Sequence, residues 1–139
     1  MKIISDTNVL ISATFWDGDS NKIISKVESK EIELILSEEN VKEYEEVLEY
    51  KEIQDKIKDK QLEMKLTAQK IRSLAKIVTP SKKISAVKDD PDDDRILETA
   101  IEGKVDYIVS RDKHLLKLKE YENIKIVSQK EFLDILNQK

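Results

Sequence analysis

Ile3-Ile4-Ser5-Asp6-Thr7-Asn8-Val9-Leu10-Ile11 decides how the rest of the chain is read. An apolar pair runs into an acid, then two small polar residues, then a second apolar run. Lys2 to Ser5 has the short, apolar character of a parallel strand buried on both faces. Asp6 then falls at the strand's carboxyl end, the edge at which open α/β sheets bind ligands. Thr7 and Asn8 can turn the chain there by bonding local backbone. Taken alone, the stretch leaves two readings of Asp6: a turn or cap residue, and a site residue.

Further along, the strand pattern recurs. Glu33 to Leu36 reads as a second strand, and Ser37 caps a helix to about Tyr50 with the stripe Val41, Tyr44, Val47 and Leu48. Between these strands the segment to Asp19 is mixed. Ser20 is the expected cap of a helix carrying Ile23, Ile24 and Val27. Phe15 and Trp16 read as core or interface packing. On the helix after Ser37, Glu43 borders the packed face and Glu46 faces water. Residues 51–75 hold no Pro or Gly and predict one long or two short helices, with Ile53, Ile57, Met64, Ile71 and Leu74 turned inward. Lys76 to Thr79 is a brief strand ended by Pro80, and a basic loop with Lys82, Lys83 and Lys88 follows.

Asp89-Asp90-Pro91-Asp92-Asp93-Asp94 packs five carboxylates into six residues. Asp90 reads as a helix cap and Pro91 as the first helical residue. Acids in a first turn suit the helix dipole, yet so dense a cluster repels itself, and a bound cation would relieve the repulsion. Asp93 lies three, four and seven residues before Ile96, Leu97 and Ala100, so it shares their core-facing side. The helix is expected to stop at Gly103. Tyr107 to Ser110 is another strand that ends in a small polar residue and an acid, Ser110-Arg111-Asp112. A short helix over Lys113 to Lys119 carries His114, read as surface or RNA-facing rather than as a ligand. Ile124 to Val127 is the last strand, and Ser128 with Glu131 forms a capping box for a final helix. Helices alternating with strands predict a single α/β domain over 1–139, with about five parallel strands and helices on both faces.

The composition narrows the chemistry. There are no cysteines and one histidine among 139 residues, so thiolate and multi-histidine metal sites are excluded. Any metal must be held largely by oxygen, which suits Mg²⁺ or Mn²⁺. No phosphate loop, dinucleotide fingerprint or nucleophile elbow is present. No apolar run approaches the ~20 residues of a membrane span, and the first residues read as a strand rather than a signal peptide, so a cytoplasmic protein is expected. The net charge of −4 divides into +7 over residues 51–88 and −11 elsewhere. The basic stretch is either a polyanion-binding face or solvated lysine-rich helices. Asp6, Glu43, Asp93 and Asp112 fall where an α/β sheet would converge them. Carboxylates so gathered fit one or two divalent ions acting in phosphodiester cleavage.

At these residues the sequence resembles the PIN-domain family across essentially the whole chain. SDTNVLISA (5–13) looks like the family's opening motif, SEENVKEYEEVL (37–48) like its glutamate helix, DPDDDRILETA (90–100) like its third motif and DYIVSRD (106–112) like its fourth. The resemblance implies Asp6, Glu43, Asp93 and Asp112 as metal ligands and catalytic residues, with Asn8, Ser110 and Asp90 in support. Asp90, Asp92 and Asp94 compete with Asp93 for the third ligand. Ser110 and Arg111 stand where the family usually has Thr and Gly. The resemblance is closest to the toxins of toxin–antitoxin pairs. It implies a Mg²⁺- or Mn²⁺-dependent endoribonuclease, commonly a homodimer, inhibited by a small antitoxin. Arg111, Lys113, Lys82 and Lys83 are expected to contact the RNA. Two other readings stand beside it: a non-catalytic PIN-like module binding RNA or protein, and a phosphatase in which Asp6 is phosphorylated. The second lacks an acid two residues after Asp6, where Asn8 stands.

Overall fold

Three short buried stretches build the centre of the molecule. Ile3, Ile4 and Ser5, then Leu34, Ile35 and Leu36, and also Ile108 with Val109, are buried at consecutive positions. Successive strand residues point to opposite faces, so these strands are covered on both. The computed structural model describes residues 1–15, 18–56, 58–59, 61–87 and 91–138. Its elements in order are β1 (Lys2–Ser5), α1 (Thr7–Phe15), α2 (Gly18–Glu28), β2 (Glu33–Leu36), α3 (Glu38–Leu48), α4 (Lys51–Lys56), α5 (Gln61–Leu74) and β3 (Lys76–Ile77). Then come α6 (Pro91–Gly103), β4 (Tyr107–Val109), α7 (Lys113–Leu118), β5 (Glu120–Tyr121), β6 (Ile124–Val127) and α8 (Gln129–Asn137).

The strands form one sheet of six, in the order β3-β2-β1-β4-β6-β5. All neighbours pair parallel except β5 with β6. The chain leaves β1 toward β2 and β3, then crosses back to β4 and β6 on the other side. The crevice between the carboxyl ends of β1 and β4 is therefore the topological switch point, where such sheets bind ligands. Ser5 pairs with Val109 in register, so the residues that follow, Asp6 and Ser110, leave the sheet side by side. Helix α6 packs on β1 and β2, while α1 packs against α2, α3 and α5. The described residues share one hydrophobic core.

Several sequence expectations need correction. The segment after Asp6 is not mixed: α1 begins at Thr7, and Thr7 and Asn8 form its first turn rather than a loop. Helix α2 begins at Gly18, two residues before the expected cap at Ser20. The sheet has a sixth strand, β5, joined to β6 by a two-residue turn in which Glu122 and Asn123 both adopt positive φ. That is the backbone of a type I′ hairpin, whose usual residues are Asn-Gly, and its unusual sequence hid it. At the end of α6, Gly103 is not the left-handed residue. Lys104 is, at φ 52°. The Lys104 and Val105 amides close a Schellman pair on Ile101 and Ala100. Gly103 answers a different need: a Cβ there would sit 2.5 Å from Ile35 Cγ2. Trp16, Ile57, Lys88, Asp89 and Asp90, and the side chains of Phe15 and Ser20, lie outside what the structure describes.

Candidate metal centre

Asp6 stands at the switch point and is engaged from three sides. It precedes α1 and caps it: its Oδ1 accepts the Val9 amide at 2.9 Å. Its Oδ2 accepts the Ser110 hydroxyl and, at 3.0 Å, the Arg111 amide. The helix cap uses one oxygen and the strand junction the other. A carboxylate has about four lone-pair sites. Three are taken, which leaves capacity for a cation. Burial pushes the Asp6 carboxyl above the ordinary aspartate value. The bonds from Ser110, Val9 and Arg111 oppose that rise, and the nearby charge of Asp112 adds to it.

Ser110 ties two acids together. It is fully buried, donates to Asp6, and accepts the Asp112 amide at 2.9 Å. Asp112 in turn caps α7, its Oδ1 accepting the amides of His114 at 2.7 Å and Leu115 at 3.3 Å. Oδ2 accepts no hydrogen bond from a described residue. Glu43 comes in from α3, whose N-terminus is fixed by reciprocal bonds between Ser37 and Asn40. Tyr44, the next residue, is buried and bonds Thr14 of α1. Burial raises its phenol to about 12, so it stays neutral and protonated. This contact sets α3 against α1, and with it Glu43 against Asp6.

Asp92, Asp93 and Asp94 occupy one helical turn but point to three environments. Asp92 is exposed and pairs with Arg95 at 3.2 Å; Arg95 also reaches Glu39 of α3 at 3.1 Å. Asp94 is buried and turned away, accepting the Ala86 and Val87 amides at 2.9 and 2.8 Å. Asp93 is buried and faces the crevice. The acid density that called for a cation is thus partly resolved by the fold itself, which assigns Asp94 to holding a loop.

Asp6, Thr7, Asn8, Glu43, Val47, Asp92, Asp93, Ile96 and Asp112 line one cleft of about 150 Å³. The structure therefore brings together all four acids picked from the sequence, and Asn8 with them. It adds Asp92 at the rim. His114 is exposed, as expected, and does not line the cleft, but ligand atoms of Asp93, Asp112 and His114 lie within 4.8 Å of one another. The signal was its position two residues after Asp112, within the turn that Asp112 caps. Lys82 and Lys83 border a different hollow, with Tyr121 and Glu122. Arg111 and Lys113 are exposed beside Asp112, and the Arg111 guanidinium contacts Ser12.

Residues 2–114 match the PIN domain. The chain belongs to the PIN domain family. No curated protein matches it closely enough to count as a relative. PIN domains are generally nucleases and typically use divalent metals, so this PIN domain is a nuclease-type hydrolase. The residues present fit such an ion. The donors in the cleft are carboxylate oxygens, the set preferred by hard divalent cations. The buried Asp6, raised by desolvation and by Asp112, is the kind of group that a nearby cation would return to its ionised form.

Proposed function

We propose that this PIN domain is a divalent-metal-dependent endoribonuclease whose cation is held by Asp6, Glu43, Asp93 and Asp112. The observation that carries this reading is their convergence on one cleft, from the ends of two strands and from two helices. A divalent ion bound there supplies a Lewis acid for the phosphate and lowers the pKa of a water. The protein's own part is positional. Ser110 holds Asp6 and Asp112 at a fixed separation, and the Tyr44–Thr14 contact fixes Glu43 relative to them. Asn8 and Asp92 border the same cleft, where they can orient water or substrate. Arg111 and Lys113 place positive charge beside Asp112 for the RNA backbone; Lys82 and Lys83, expected to contact RNA, border a separate hollow.

The finer role, toxin of a toxin–antitoxin pair acting as a homodimer, rests on the sequence resemblance. Exposed Tyr50, Leu62 and Leu66 offer apolar surface for a second chain. The test is cleavage of a mixed-sequence RNA with Mn²⁺, Mg²⁺ or EDTA, comparing wild type with Asp93→Asn. Metal-dependent cleavage that falls at least about 100-fold in the folded variant is expected, given the size of single electrostatic contributions. Cleavage unchanged in Asp93→Asn would move the ligand to another acid. Tight RNA binding without cleavage in any metal would favour a non-catalytic PIN module.

A further inference from the structure

We propose that His114 supplies a nitrogen ligand to the cation in the acid cleft and makes the site prefer Mn²⁺ to Mg²⁺. This rests on the metal-centre reading above. His114 is the only histidine in a chain without cysteine, so it is the only strong soft-to-borderline donor the protein can bring to a metal. It is brought to the right place. Its ligand atom lies within 4.8 Å of those of Asp93 and Asp112, and its Nδ1 is 3.7 Å from Asp112 Oδ1. Two ligands on opposite sides of one small divalent ion lie about 4.2 Å apart. The spread therefore suits a shared ion after a small rotation of the ring.

The backbone prepares that geometry. The His114 amide bonds Asp112 Oδ1, which holds the carboxylate against the turn that carries the imidazole. The ring is exposed, so it can swing onto a cation without losing packed contacts. Mg²⁺ dehydrates reluctantly and keeps an oxygen shell rich in water, so an added imidazole nitrogen strengthens Mn²⁺ binding more than Mg²⁺ binding. An oxygen cage with one imidazole at its mouth therefore separates two ions that an all-carboxylate cage treats more evenly.

The test is Mn²⁺ titration of the full chain followed by pulsed EPR, in wild type, His114→Ala and His114→Gln. Wild type should show a ¹⁴N coupling on bound Mn²⁺ that both variants lose. The Mn²⁺ Kd should rise about tenfold in the variants, while the Mg²⁺ Kd, read by competition, changes less than about threefold. Bound Mn²⁺ without a ¹⁴N coupling in wild type, or equal weakening of both ions in the variants, overturns the proposal and leaves the metal centre standing. No saturable Mn²⁺ binding in wild type overturns both.

Discussion

The Asp6 carboxylate caps a helix with one oxygen and locks a strand junction with the other, and this double use has a pH signature. Its pKa is raised in the folded chain, chiefly by burial. Between the ordinary value of 3.8 and that raised value, the folded chain keeps a proton that the unfolded chain has released. The associated stability is full below the unfolded pKa and is lost as pH rises through the folded one. In EDTA, urea unfolding from about pH 4 to about pH 7 should show wild type losing stability relative to Asp6→Asn as pH increases. A difference that is flat over that range would contradict the assignment. At the end of α6, Gly103→Ala should destabilise by about 1–3 kcal/mol because the new Cβ overpacks against Ile35. Lys104→Gly should instead stabilise, by up to about 1 kcal/mol, because it relieves a left-handed residue. The sequence offered Gly103 as the helix stop, but it could not tell a glycine required by φ from one required by a neighbouring side chain. That distinction exists only once β2 is packed beneath α6.

The elements that periodicity could find were those with a polar and an apolar face. Helix α3 was legible because Ser37 opens it and Val41, Tyr44 and Leu48 recur on one side; all three are buried. Helix α1 was not, because TNVLISATF is apolar nearly all round and offers no stripe. Its cap is Asp6, which the site reading had already claimed. The hairpin of β5 and β6 was missed for the reason that Glu122-Asn123 is not a usual turn pair. The loop before α6 was read only as basic and polar. In the structure it lies along α6, its backbone amides donating to three acids spaced one turn apart. Ser81 bonds Glu102, Ile84 bonds Glu98, and Ala86 and Val87 bond Asp94. Asp94→Ala should cost about 2–3 kcal/mol by leaving two amides without their carboxylate. Hydrogen exchange at Ala86 and Val87 should accelerate well before that of β1. Equal protection of both regions in the variant would show that Asp94 does not anchor the loop.

For the whole molecule, the candidate site was legible in outline because its acids sit at strand ends and on helices, which a parallel sheet brings to one edge. What stayed hidden was the division of labour among neighbours: Asp93 in the cleft, Asp94 on the loop and Asp92 with Arg95. The charge asymmetry is also partly internal. Arg72 of the basic stretch pairs with Glu45 at 2.6 Å and Lys70 pairs with Glu28 at 2.5 Å, so not all of that charge is on offer to a polyanion. An ion that binds only the folded chain should stabilise it by mass action, by about 2.7 kcal/mol at a hundred times its Kd, and so raise its melting temperature. Asp93→Asn should abolish the Mn²⁺-induced rise measured by calorimetry, and an undiminished rise would place the ion elsewhere. The loop along α6 carries a separate consequence for how this protein tolerates change. Most of its hydrogen bonds to α6 are made through main-chain N–H groups, which every residue but proline possesses; the Ser81 hydroxyl, Ile84 and the buried Val87 add side-chain anchors. Lys82, Lys83, Ser85 and Ala86 point outward, and none of their side chains is needed to keep the segment in place. That stretch can be rewritten, its charge reversed or a foreign recognition sequence grafted into it, while the scaffold beneath holds it in the same path.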